Sequence, residues 1–442
     1  MEAPRCSTMA TAGLVLLMAC LAPSVRGEVE PDQLTSGMGR FGSILCEDVD
    51  DDGRDEIVFG SYDGYVVSTE YRGGEYFVDW TSEQYGTRVW GLTCGQFDSD
   101  PAVEIIIGDG EGVVRSVDGR TKKLEWTSDT LVRDAHGLLL HDIDGDEKNE
   151  LIVGTGFKTD QGWGTVYFFR QNSSEPYDQL DPFDSRLRHI EIADLDNDGD
   201  DELIVTSGAA LGDVKGEGYF RIFDLSTKEL EYKSPDLEGC MEGMAVVDLE
   251  GDGILEIVVS NGYRYRDGWC YIYHYIGGEY TRVWKSENIG PKAYGLDVGD
   301  VDADGVTEIV LSNMAGYVYI FDGTTFGLEW RSENLGRDVL GIVIGDPDGD
   351  GEMELIAGQG GYNGKGDFTS GYSTPHVYVI DGKTHSVEYV MGDVDEVVQW
   401  MKAVILGLVA LAVLQAGLVA RFWIMRKRNR KKQLERKMGG SV

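Results

Sequence analysis

Asp48-Val49-Asp50-Asp51-Asp52-Gly53-Arg54-Asp55-Glu56, followed at once by Ile57-Val58-Phe59, is the first of seven copies of a nine-residue acidic frame. The copies end at Glu56, Glu104, Glu150, Glu202, Glu256, Glu308 and Glu354, in steps of 48, 46, 52, 54, 52 and 46 residues. Self-similarity at this period marks a repeat architecture. Around each loop the same segments return. A short strand opening on a bulky residue plus Gly precedes it, as in Phe41-Gly42, Trp90-Gly91, His136-Gly137, Tyr294-Gly295 and Leu340-Gly341. An apolar strand follows it, as in Ile105-Ile106-Ile107 or Ile257-Val258-Val259. A third strand alternates, and a fourth carries an aromatic, often within Trp-x-Ser. Four strands per repeat, with no convincing helix outside two terminal apolar segments, predict an all-β, seven-bladed β-propeller over about residues 38 to 391. The seventh blade is expected to take all four strands from its own repeat.

The loop itself points to a metal. Carboxylates at positions 1, 3, 5 and 9 of one tight turn repel each other unless a cation sits among them. Ca²⁺ suits them, with six to eight oxygens at about 2.3–2.6 Å. Gly at position 6 permits a corner with positive φ. An EF-hand would need a carboxylate at position 12, where Phe59, Val205, Val259, Leu311 and Ala357 stand instead. Five loops are complete: Asp48/Asp50/Asp52/Glu56, Asp194/Asp196/Asp198/Glu202, Asp248/Glu250/Asp252/Glu256, Asp300/Asp302/Asp304/Glu308 and Asp346/Asp348/Asp350/Glu354. The third unit has Asp142/Asp144/Asp146/Glu150 but Glu147 in place of Gly, which implies binding through a distorted turn. The second has Gln96 and Pro101, and little or no binding is expected there. The expectation is about five structural calcium ions.

The frame with its preceding Phe-Gly and following Ile-Val-Phe-Gly resembles the FG-GAP repeat of integrin α-subunit propellers, and the VCBS-type repeats of microbial surface proteins. The resemblance covers about 350 residues. It implies a seven-bladed propeller with calcium between the first and second strands of several blades. It does not imply a ligand. Integrin stalk domains have no counterpart here, so the kinship expected is one of fold.

The 442 residues carry a formal charge of −39, unevenly placed. Between Glu28 and Met401 lie 76 acidic and 27 basic residues, a surface that repels nucleic acid. Residues 1–27 have a secretory-signal pattern. Ala403 to Ala420 is apolar but for Gln415, and it is followed by Arg426-Lys427-Arg428 and Arg430-Lys431-Lys432. That pattern predicts a transmembrane helix at 403–425 with a cytoplasmic tail at 426–442. The expected order is signal, propeller (28–392), linker (393–402), membrane helix and tail. Small-xxx-small spacing at Ala403/Gly407 and Ala412/Ala416 suits helix-mediated pairing.

A basic residue precedes the first strand in most blades: Arg40, Arg88, Arg133, Arg188, Lys292 and Arg337. Beside them stand Phe41, Trp90, His136, His189 and Tyr294. A ring of cations about an aromatic funnel, on the face opposite the acidic loops, suits an anionic group. The alternative is that each cation pairs with a local acid such as Asp134 or Asp338. Cys240 and Cys270 in blade 5 are a candidate disulfide, whereas Cys46 and Cys94 occupy core positions. No nucleophile elbow, phosphate loop or metal-spaced histidines point to catalysis. The expectation is a membrane-anchored, extracellular calcium-binding protein that binds or adheres to a protein or glycan. The alternatives are a calcium-dependent enzyme acting on polysaccharide and a structural or sensory component.

Overall fold

In the computed structural model every acidic frame joins the first two strands of a four-stranded antiparallel sheet. Residues 43–132, 134–156, 164–183, 185–209, 217–262, 266–336, 338–360 and 376–391 are described. They form seven such sheets, each in simple sequential order. The sheets span residues 44–81, 89–127, 135–179, 187–233, 240–285, 293–331 and 339–391, as blades 1 to 7. Blade 7 therefore takes its four strands from its own repeat, as expected. The signal segment, Arg40, Phe41, Arg133, Arg337, the linker, the membrane segment and the tail lie outside the described residues. Among the described residues, no helix is long and apolar enough to cross a membrane.

First strands touch first strands all the way round, and that of blade 7 (Val339–Gly345) touches that of blade 1 (Ile44–Glu47). The first strands are thus innermost and the ring is closed. Seven apolar clusters lie between the seven neighbouring pairs of blades. Each second strand is covered on both faces, which is why Ile105-Ile106-Ile107 is apolar without alternation. Cys46 and Cys94 pack into two of these clusters, at the seams of blades 7/1 and 1/2.

The sequence signatures have local causes. The serine of Trp-x-Ser accepts a hydrogen bond from an N–H near the start of the third strand. Ser82 takes it from Val66, Ser128 from Val114 and Ser286 from Cys270, each at 2.9 Å. The bulky-plus-Gly pair is a β-bulge. The register skips Trp90, His136, Glu242 and Leu340, and the bulges of blades 4 and 6 enclose Arg188 and Tyr294. The glycine admits the next blade: a Cβ on Gly91 would stand 2.3 Å from the His136 carbonyl oxygen.

First and third strands run towards the acidic loops, second and fourth away from them. The described propeller therefore begins at Ser43 and ends at Met391 on the face opposite those loops.

The expected Cys240–Cys270 disulfide is not formed, and both are buried free thiols. Cys240 faces Gly262 across the first two strands of blade 5, and Cys270 faces Ser260 across the second and third. Two strand spacings, roughly 9–10 Å, separate them. A disulfide tolerates Cα atoms only to about 7 Å.

Candidate metal centres and the channel mouth

The acidic frame folds as one device in blades 1, 3, 4, 5, 6 and 7. The position-1 aspartate turns both oxygens back onto the loop. Asp300 Oδ1 accepts from Asp304 N at 3.1 Å and Oδ2 from Gly305 N at 3.0 Å. Asp48, Asp142, Asp194, Asp248 and Asp346 do the same. The position-9 glutamate is buried and accepts from the position-2 N–H, as Glu308 Oε2 does from Val301 at 2.8 Å. Blade 7 has Pro347 at position 2 and no such donor, and Glu354 Oε2 is buried without a hydrogen-bond partner.

Positions 3 and 5, read from sequence as metal-ligand positions, also hold the turn. At position 5 one oxygen accepts from the N–H two residues on. Asp198 Oδ1 takes it from Asp200 at 3.0 Å, Asp252 Oδ1 from Ile254 at 2.9 Å and Asp304 Oδ1 from Val306 at 2.8 Å. Asp52, Asp146 and Asp350 do likewise. At position 3, Asp302 Oδ1 accepts from Asp304 N at 3.1 Å, as Asp196 and Asp348 do from Asp198 and Asp350. Glu250, the one glutamate at that position, is exposed. Its extra methylene lets the carboxylate stand further from the turn. In blades 4, 6 and 7 the second oxygen of each position-3 and position-5 aspartate stands outside these turn bonds.

Two corners of the loop are left-handed. Position 6 has φ of 93° at Gly53, 89° at Gly305 and 68° at Glu147. Glu147 thus adopts the glycine conformation and its N–H still reaches Asp142 Oδ2 at 2.8 Å, so the turn of blade 3 is regular and not distorted. Position 4 is the second corner, with φ near 60° at Asp51, Asn197 and Ala303. The sequence reading missed it, because Asp, Asn, Ala and Gly share no pattern there.

The carboxylates converge. Ligand oxygens of Asp48/Asp50/Glu56, of Asp142/Asp144/Asp146 and of Asp194/Asp196/Glu202 lie within 4.8 Å of one another. Oxygens around a calcium ion at about 2.4 Å span the same distance. The tight set of blade 4 is thus built from positions 1, 3 and 9, and Asp198 is not one of its three members. Glu56 Oε1 and Asp50 Oδ1 are buried without hydrogen-bond partners. Burial first, and the neighbouring Asp50 charge second, push Glu56 up to about 8. Burial and the three loop aspartates push Glu354 up to about 9. Burial also pushes Glu202, Glu256 and Glu308 up to about 7. The charges of Glu250 and Asp252 add to the rise at Glu256, and those of Asp302 and Asp304 to the rise at Glu308. These four side chains therefore act on the buried glutamate of their own loop. Clustered oxygens with unfilled lone pairs fit a hard divalent cation.

Blades 2 and 3 differ. In blade 3 the guanidinium of Arg170 reaches into the cluster, Nε to Glu150 Oε1 at 3.1 Å and Nη2 to Asp144 Oδ2 at 2.6 Å. Arg170 thus pairs with two of the four frame carboxylates of this loop. Blade 2 lacks the position-1 carboxylate, and Gln96 Nε2 bonds to the Asp100 carbonyl instead. Its Asp98, Glu104 and Glu125 still approach within 4.8 Å.

At the opposite end, among the described residues, the bulged side chains are buried and two of the expected cations are paired with an acid. Trp90, His136, Arg188, Lys292 and Tyr294 are all at most 8% exposed. Arg188 Nη2 lies 3.5 Å from Glu242 Oε1, and Lys292 Nζ pairs with the same oxygen. Burial works against the Arg188 charge and Glu242 outweighs it, so its pKa is raised. Glu242 is the member that the sequence reading missed. It stands in Glu242-Gly243, in frame with Trp90-Gly91, and that frame was the available signal. Lys292 Nζ also lies 4.7 Å from the ring centre of Tyr294, which packs with Met314 and Leu340. Trp90 lies tilted against His136 with ring centres 5.2 Å apart, and half-buried Arg88 covers Tyr62 at 4.4 Å and Trp90 at 5.5 Å. His136 Nε2 is 3.7 Å from Asp134 Oδ2. His189, also placed in the ring from sequence, bonds through Nε2 to Glu191 Oε1 at 2.9 Å.

Residues 248–311, which run from the acidic loop of blade 5 into the second strand of blade 6, match the family model of the FG-GAP-like repeat. No curated protein matches the chain in sequence. Among solved structures it is similar to BBS1N in complex with ARL6DN, in crystals soaked with lead (11% identity) and with mercury (12% identity). Each has a TM-score of 0.53 and covers 74% of this chain and 91% of that one. The computationally designed Ika8 protein is 12% identical with a TM-score of 0.48, covering 74% of this chain and 96% of that one. At such identities the likeness is one of fold alone. The described residues form a seven-bladed β-propeller, and residues 248–311 of it match the FG-GAP-like repeat.

Proposed function

We propose that this chain is a membrane-anchored extracellular propeller that calcium holds rigid and that binds a protein or glycan partner. The observation that carries the calcium reading is the set of buried loop oxygens without hydrogen-bond partners, Glu56 Oε1, Asp50 Oδ1 and Glu354 Oε2, each inside a carboxylate cluster. Blades 1, 4, 5, 6 and 7 hold the ions, each bound by the carboxylates at positions 1, 3, 5 and 9. Arg170 supplies the positive charge in blade 3. A bound ion supplies charge neutralisation and fixes the hairpin at the inner edge of its blade. Affinity falls in the range of extracellular modules, roughly 10⁻⁴–10⁻³ M.

The anchor rests on the apolar segment 403–420 and the basic residues after it, and the extracellular side on residues 1–27. The binding role rests on the architecture, a rigid ring presenting loops on two faces. It is tested by capture of secreted proteins and glycans on the purified protein with calcium and with chelator. Partners retained in calcium and lost in chelator are expected. Loss of no partner and an unchanged melting temperature on chelation would sink the calcium reading.

A further inference from the structure

Blades 1 and 5 share a hairpin that no other blade has: Tyr71-Arg72-Gly73-Gly74-Glu75-Tyr76 and Tyr275-Ile276-Gly277-Gly278-Glu279-Tyr280. Both glycines of each turn have positive φ, with Ile276 paired to Glu279 and Arg72 to Glu75. This two-residue turn fixes the flanking side chains tightly. In blade 5 the two tyrosine rings lie 4.9 Å apart. Tyr232 of blade 4 adds a third ring, 4.9 Å from Tyr280. The three rings border a cavity of about 350 Å³, whose remaining walls are Asp196, Glu231, Glu279 and Gly278. No basic residue lines it.

We propose that this cavity between blades 4 and 5 binds an organic cation, the ammonium of a lysine or methyl-lysine side chain on a partner protein. Aromatic rings present their negative faces to such a cation, and the carboxylates of Glu231 and Glu279, which belong to no acidic loop, match its charge. The volume lies within the roughly 300–1,000 Å³ of small-ligand sites and far exceeds the needs of a metal ion. The seam of blades 7 and 1 repeats the arrangement, with Tyr76 4.9 Å from Tyr71 and 5.0 Å from Tyr389. There Arg54 reaches the hairpin, its Nη1 donating to the Tyr71 carbonyl at 3.0 Å. The matching loop position in blade 5 is Ile254, so that position brings no positive charge to the blade 5 hairpin. The cavity opens beside the acidic loop of blade 4, on the face away from Ser43 and Met391, where the chain's own continuations do not attach.

The site rests on the binding role proposed above and gives the partner a chemistry. The test uses the full-length protein in neutral detergent at saturating calcium, with single cations as probes, because a polycation would bind an acidic surface anywhere. Saturation-transfer NMR follows Nα-acetyl-lysine N-methylamide, its Nε-trimethyl form and its neutral Nε-acetyl form. Both cations are expected to bind, and the neutral form at least tenfold more weakly. Glu231→Gln with Glu279→Gln should weaken the cations about tenfold, as should Tyr280→Leu, while Tyr280→Phe keeps the ring and the binding. Equal binding of neutral and charged probes overturns the site even if every variant misfolds, and so does unchanged binding in the glutamine pair. Calcium-dependent partner capture that survives the glutamine pair overturns this site and leaves the binding role standing.

Discussion

Arg170 Nε donates to Glu150 Oε1 at 3.1 Å, and this contact places one positive charge among the carboxylates of the blade 3 loop. The guanidinium also holds Asp144 and lies 4.6 Å from the Tyr177 ring centre. Arg170→Gln should free the cluster for calcium. Calorimetric titration is expected to show one more ion per chain than the parent protein. An unchanged count would mean that blade 3 cannot bind an ion even when vacated, or already does.

Calcium-free protein should lose stability as pH rises from 5 to 9. The folded pKa values of Glu56, Glu202, Glu256, Glu308 and Glu354 lie at about 7 to 9, above the ordinary 4.5. The folded state therefore holds these protons more tightly than the unfolded chain. Their favourable contribution is complete below about pH 4.5 and is lost as pH passes through the folded values. Calcium must displace the same protons, so its affinity rises across that window. Thermal melts in chelator should fall between pH 5 and 9, and the stabilisation by calcium should grow. A chelator melt that climbs over this interval contradicts the assignment.

Pro347 deprives Glu354 of the backbone donor that every other position-9 glutamate has. Pro347→Ala should bring the Glu354 pKa down from about 9 towards the value of about 7 found at Glu308. Carboxyl-carbon NMR titration in chelator reads this directly, and no movement would mean that Asp346, Asp348 and Asp350 alone set it.

Asp300→Ala removes the side-chain acceptors of two backbone N–H groups and one proposed calcium ligand. By analogy with a lost helix cap it should cost about 1 kcal/mol even without calcium. It should also lower the ion count by one. Glu147→Gly acts in the other direction. It relieves a left-handed glutamate, a conformation that costs roughly 1–2 kcal/mol, so the urea midpoint in chelator should rise. A fall would show that the Glu147 side chain contributes more than its backbone conformation costs.

The repeat made the architecture legible. A period near 50 residues, seven position-9 glutamates and seven apolar second strands each follow from how one blade packs on the next, and packing constrains residue type. The site was legible where a backbone demand falls on a single residue, as at Gly53 or Asp48. It was not legible where tertiary neighbours decide. Arg170 lies 20 positions from Glu150 and comes to it through strand register. Nor did the spacing of Asp198, Asp252 and Asp302 tell that each shares its carboxylate with the loop backbone, since a ligand and a turn acceptor call for the same residue type. Glu242 serves Arg188 and Lys292 from two other blades, so their partner does not lie beside them in sequence. The Cys240–Cys270 pairing failed for a related reason: nearness to one face was read, but the intervening strand was not counted.

Met391 closes the outermost strand of blade 7 and points away from the acidic loops. A load applied there, against a partner held at the loop face, runs along that strand. It stretches the hydrogen bonds between Val387–Met391 and Val377–Asp381 all together, not one after another. The propeller is thus strung to carry tension in shear, the direction in which a sheet yields last.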